Sequence, residues 1–149
     1  MIHYFINILF DKMATNIDIN ITDLSGHTFT IKLNWDIGAM KDSISIYYDN
    51  KFKNEFLLEN NLTNRDMINH FNKYIKSDYY KKACDYNPDN IQLIYKGEIL
   101  EQFHIEADIY SEDDFKEDNN INVVIIKNDE NNDDDKDSNI SYMLSFMSG

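Results

Sequence analysis

The sequence predicts an α+β domain in which a mixed β-sheet packs on one main helix at about residues 64–82. Three patterns carry that expectation. Residues 17–33 alternate between apolar and polar side chains on both sides of a short turn containing Gly26. Met67, Ile68, Phe71, Tyr74, Ile75 and Tyr79 recur at helical spacing, and 121–127 is a nearly continuous β-branched run. Period two marks a strand with one buried face, spacing of three and four marks an amphipathic helix, and a short unbroken apolar run marks a strand covered on both faces.

In chain order, Ile17, Ile19 and Ile21 point one way and Asp18, Asn20 and Thr22 the other. Phe29, Ile31 and Leu33 resume the alternation after the turn, which predicts an antiparallel hairpin. A second, inserted hairpin is expected within 34–62. There Ile44, Ile46 and Tyr48 alternate with Ser43, Ser45 and Tyr47, and Asn50 suits the left-handed backbone of a turn. Thr63 and Asp66 then read as a helix start, because the hydroxyl can accept a backbone N–H and an acid favours the positive helix end. Lys81 and Lys82 suit the opposite end. Pro88 marks the exit, 91–95 reads as a strand, Lys96-Gly97-Glu98 as a tight turn, and Ile99-Leu100 as a brief strand. The segment 101–120 reads as an acidic surface loop with one helical turn, pinned to the core by Phe103, Ile105, Ile109, Tyr110 and Phe115.

A length of 149 residues suits one domain with appendages. These are read as an N-terminal arm at 1–16, the domain at 17–127 with its insertion at 34–62, and an acidic linker with an apolar tail at 128–149. Met13 opens an alternative start, which would make the first twelve residues an artefact or a loose arm. A formal net charge of −13 argues against nucleic acid as a direct partner, since affinity there comes from Lys and Arg displacing counterions. The acids cluster: eight fall in 101–118 against Lys116 alone, and six in 128–139 against Lys136. Cys84, the single cysteine, cannot form an internal disulfide, so a reducing intracellular compartment is expected, cytoplasmic or nuclear. The apolar stretch 1–10 lacks basic residues and is too short to span a bilayer, so no targeting signal or membrane partner is expected. The abundance of Asn, Ile and Lys suggests an AT-rich genome.

The order of these elements, and three ungapped blocks of residues, resemble the ubiquitin-like family with its β-grasp sheet. Residues 17–33 align with the family's first hairpin, with Leu24, Ser25 and Gly26 where the family has Leu-Thr-Gly. Residues 88–101 match Pro-Asp-Gln-Gln-Arg-Leu-Ile-Phe-Ala-Gly-Lys-Gln-Leu-Glu, and 120–127 contain the counterpart of Thr-Leu-His-Leu-Val-Leu. The family's helix spacing fits two places, at Ile37, Met40 and Ile44 or at Ile68, Phe71 and Ile75. The second is preferred for its capping signal, because Gly38 costs roughly 1 kcal/mol in a helix interior and the first set runs into strand-like sequence.

The resemblance implies a partner-binding patch of Leu24, Ile94, Gly97 and Val124, at the positions where the family exposes an apolar surface. It implies a non-enzymatic protein-interaction module whose partners are proteins, with ubiquitin-pathway receptors among the candidates. Gln92, Glu98 and Ile126 replace the family's basic rim, so receptors that rely on that rim should discriminate against this surface. An alternative is a structural or assembly subunit that uses the fold as a scaffold. Conjugation as a modifier is disfavoured because the chain ends Ser148-Gly149 and lacks the family's Gly-Gly terminus. In the tail, Tyr142, Leu144 and Phe146 could anchor 140–147 on a neighbour or back on the domain, since a flexible linker of about twelve residues reaches ~20 Å.

No catalytic residues, cofactor or metal are expected. Cys84 has no recognisable base beside it. His3, His27, His70 and His104 fall in no metal-ligand spacing, and the carboxylates of Glu112, Asp113 and Asp114 lack a calcium-loop pattern.

Overall fold

The computed structural model describes residues 14–106 and 109–127. Strands β1 (Ala14–Thr22) and β2 (Thr28–Asn34) form the expected antiparallel hairpin, with Ile19 opposite Ile31 and Ile21 opposite Phe29. Its turn is set by Asp23, whose Oδ1 accepts from the backbone amides of Ser25 and His27, and by Gly26 at φ +88°. A positive φ of that size favours glycine because it has no Cβ to clash.

The chain then departs from the sequence reading. Instead of an inserted hairpin at 34–62, helix α1 (Ile37–Glu59) follows β2 directly and supplies the main helix. Its buried residues Ile37, Met40, Ile44, Tyr48, Phe52 and Phe56 lie three or four apart, while Ile46, which a strand would place beside Ile44 and Tyr48, is 59% exposed. The physical reason is length: a stripe kept in register over 23 residues outweighs a short stretch that also fits period two. Gly38 lies in the first turn, where its penalty is offset by Asp36 Oδ1 accepting from the Ala39 amide and Gln102 Oε1 accepting from the Ile37 amide.

The expected main helix at 64–82 is two shorter helices, α2 (Met67–Ile75) and α3 (Asp78–Asp85), preceded by a 3-10 turn at Asn64–Asp66. The start signal holds, with Asp66 Oδ2 accepting from the Thr63 amide at 2.7 Å. The break falls at Lys76-Ser77, where the Ser77 side chain donates to the Tyr74 carbonyl and accepts from the Tyr80 amide. A serine hydroxyl that serves both ends in this way ends one helix and caps the next. Residues 60–87 are therefore a helical excursion between α1 and the next strand.

A 3-10 turn at Pro88–Asn90 leads into β3 (Ile91–Tyr95) and β4 (Glu98–Ile99). The segment expected as a loop holds two short helices, α4 (Gln102–Glu106) and α5 (Glu112–Glu117), before β5 (Asn120–Ile125). The sheet order is β2-β1-β5-β3-β4, with β5 parallel to β1 and antiparallel to β3. An α+β chain with this mixed sheet and one main helix is compatible with a β-grasp fold. The two segments 17–33 and 121–127 share one sheet, joined through Ile21 and Ile121.

The core lies between α1 and one face of the sheet, where Ile19, Ile21, Leu33, Ile91, Leu93, Tyr95, Ile121 and Val123 meet the buried stripe of α1. Phe115 of α5 closes one end against Tyr95 and Trp35. The hydroxyl of Tyr95 reaches the carbonyls of Asp114 and Asp118, which ties the acidic segment down.

Candidate interaction surfaces

Three places could engage another molecule: the tip of the first hairpin, the sheet face turned away from α1, and the helical excursion. At the hairpin tip, Leu24 is 46% exposed on a turn that is held rigidly. Tyr48 of α1 donates from its hydroxyl to Asp23 Oδ2 at 2.6 Å, and His27 Nε2 meets the hydroxyl of Tyr47. Phe29 stacks on Tyr47 and Tyr48 on Tyr86, with ring centroids 3.7 and 3.6 Å apart. Burial would raise the Asp23 carboxyl, but hydrogen bonds from the Ser25 and Tyr48 side chains and from the His27 and Ser25 amides outweigh it and hold it below its ordinary value.

On the outer sheet face the expected patch is only partly open. Gly97 is exposed in its turn, but Ile94 and Val124 are each 2% exposed. They form a separate cluster with Ile126 and the half-buried Ile99. The pairing explains the grouping, since Ile94 lies opposite Ile99 on one side and Asn122 on the other, two residues from Val124. Ile94 and Val124 lie on one face, and their burial depends on what covers that face. Alternation along a strand carries no information about that.

The helical excursion carries a surface that the sequence reading assigned to the core. On α2, Tyr74 is buried with Phe56 and Leu57, and Met67 and Ile75 pack against that cluster. Ile68 and Phe71 are 87% and 54% exposed. At 100° per residue the five apolar side chains of α2 span an arc of about 120–140°. Across that arc Tyr74 and Met67 pack at one edge, Phe71 is in water between Met67 and the packed Ile75, and Ile68 is in water at the other edge. Leu58, at the end of α1 just before the excursion, is itself 78% exposed. The available signal was that 67–79 holds more apolar residues than a peripheral helix needs.

Chemistry-bearing groups do not converge among the described residues. No group of three His, Cys, Asp or Glu side chains could hold a metal ion there, and no helix there is long and apolar enough to cross a membrane. Cys84 is a free, exposed thiol. An open cleft of about 390 Å³ lies between Trp35, Ile105, Tyr110 and Ser111, without a charged group among those four. The tail residues Tyr142, Leu144 and Phe146, and the arm at 1–13, lie outside the described residues. Compared with family models, with curated proteins and with solved structures, the chain finds no match in any of the three.

Proposed function

We propose that the chain is a non-enzymatic protein-interaction module, a ubiquitin-like β-grasp domain that presents an apolar surface to partner proteins. The observation that supports it is the exposure of Ile68 and Phe71, one helical turn apart on α2. Two large apolar side chains exposed on one short helix have an unfavourable contact with water that association removes, at ~25 cal/mol per Å² buried. The helical excursion sets this surface apart from the β-grasp core, so the core can stay intact while the surface docks. Leu24 adds a second exposed aliphatic at the hairpin tip.

The test is affinity capture from the native host with the full chain and with Ile68→Asp/Phe71→Asp, both checked for unchanged circular dichroism. Partners held by the parent and lost by the variant carry the reading. Identical partner sets would overturn it. Light scattering of the same pair separates a partner of another kind from a second copy, because self-assembly appears as a mass change in the purified parent alone.

A further inference from the structure

The sheet face turned away from α1 carries a contiguous aliphatic cluster that has no helix of the described residues among its members. Ile94, Val124 and Ile126 are 2%, 2% and 7% exposed, and among the described residues the one further apolar side chain packed with them is Ile99. Neighbours in the plane of a sheet shield a side chain from the sides but not from above, so values this low require a layer over the face. The face ends at β1, whose outward residues Asn20 and Thr22 are polar and lie beside Asn120 and Asn122.

We propose that the C-terminal segment 140–147 of the same chain is that layer, seated through Tyr142, Leu144 and Phe146 on Ile94, Ile99, Val124 and Ile126. The chemistry fits an occupant of this kind. Ile140, Tyr142, Leu144 and Phe146 alternate with Ser141, Met143, Ser145 and Met147, so an extended segment turns three large apolar groups and Ile140 to one side.

The connection favours this end of the chain over the other. Ile126 is itself part of the cluster and is the second residue from the end of the described chain, so 140–147 is tethered at the cluster's edge. A linker of about a dozen residues has a reach of ~20 Å and keeps the segment at an effective concentration of order mM. The N-terminal arm starts from the far end of the sheet. Ala14 lies six residues before Asn20, which pairs with Asn120, and Val124 lies four beyond, a separation of about 33 Å at ~3.3 Å per residue. A second copy would have to compete with the tethered segment at its effective concentration.

The test uses the full chain with labelled Ile and Val methyl groups, followed by NMR with a soluble paramagnetic agent. The parent is compared with Tyr142→Asp/Leu144→Asp/Phe146→Asp and with Ile6→Asp/Ile8→Asp/Phe10→Asp. The expected result is that the first variant shifts the Ile94, Ile99, Val124 and Ile126 methyls and raises their relaxation by the agent at least threefold. Ile19 and Ile44 in the main core should stay unchanged. Four outer-face methyls that ignore the C-terminal substitutions overturn the proposal. So does a response confined to the N-terminal variant, a response that scales with protein concentration, or full access of the agent in the parent. None of these outcomes bears on Ile68 and Phe71, so the interaction surface on α2 is judged separately.

Discussion

The hydroxyl of Tyr48, midway along α1, donates to Asp23 Oδ2 at 2.6 Å in the turn of the first hairpin. Tyr48 is 1% exposed and its ring stacks on Tyr86, so the bond sits at the wall of the core and fastens helix, hairpin and the end of α3 to one another. Tyr48→Phe keeps the ring in place and removes only the donor. The expected loss is about 1.5–3 kcal/mol, the range for a hydrogen bond to a charged group, read as a lower urea midpoint with unchanged slope.

The same carboxylate makes stability depend on pH. Asp23 is held below its ordinary value in the folded chain, so the stability it contributes is present above the unfolded value of about 3.9 and is lost as pH falls through the lower folded value. The stability difference between the parent and Asp23→Asn should therefore be flat from about pH 5 to 8 and shrink below about pH 4. Thermal melts across that range check it. A difference that shrinks above pH 6 instead would assign the effect to another group.

Ile44 and Ile46 give the sharpest test of the main helix. Ile44 is fully buried and Ile46 is 59% exposed, which requires a helix because a strand would put both on one face. Ile44→Ala should cost about 2–4 kcal/mol and Ile46→Ala less than about 0.5 kcal/mol. Equal losses, measured by urea unfolding, would restore the hairpin.

The same pair shows what the sequence could and could not convey. Over 43–48 the side chains fit period two, and Ile44 with Tyr48 fits a helical repeat equally well; the two readings separate only when Ile37, Met40, Phe52 and Phe56 are added to the stripe. Ser43, whose hydroxyl donates to the Ala39 carbonyl, weakens the local helical signal further. The first hairpin was legible because Asp23 and Gly26 define its turn chemically. The strand at 120–125 was legible because so continuous an apolar run demands cover on both faces. The candidate site was legible only in part. The structure puts Ile94 and Val124 on one face of the sheet, and whether that face meets water depends on residues remote in sequence. The exposure of Phe71 likewise reflects how α2 leans on α1, which no spacing within 67–75 encodes.

Tyr95 should resist ionisation. Burial, followed by the nearby carboxylates of Asp118 and Asp114, pushes its phenol up to about 12. The neutral form is favoured in the folded chain, so its contribution is complete below the unfolded value near 10 and is lost as pH rises from about 10 to 12. Tyr95→Phe removes the hydroxyl from which the Asp114 and Asp118 carbonyls accept at 2.9 and 2.8 Å; Asp114 keeps the Asp118 amide as donor, and the loss at the Asp118 carbonyl should cost about 1–3 kcal/mol at pH 7. That gap should narrow above about pH 10 in alkaline melts, and a constant gap would show that Tyr95 does not titrate late.

The β3–β4 turn makes opposite predictions for two adjacent residues. Lys96 and Gly97 have φ of +52° and +79° between the paired Tyr95 and Glu98, the two-residue turn that needs a left-handed backbone at both positions. Lys96 carries a Cβ into that region, and asparagine tolerates it better, so Lys96→Asn should stabilise by about 0.5–1 kcal/mol. Gly97→Ala should destabilise by about 1 kcal/mol. A Cβ at Gly97 would meet nothing within 4 Å, so crowding predicts no effect there and only backbone strain predicts a loss. Urea midpoints of the two single variants separate these causes. A neutral Gly97→Ala would mean that the turn opens in solution, and the Ile94–Ile99 pairing it closes would then lose its register.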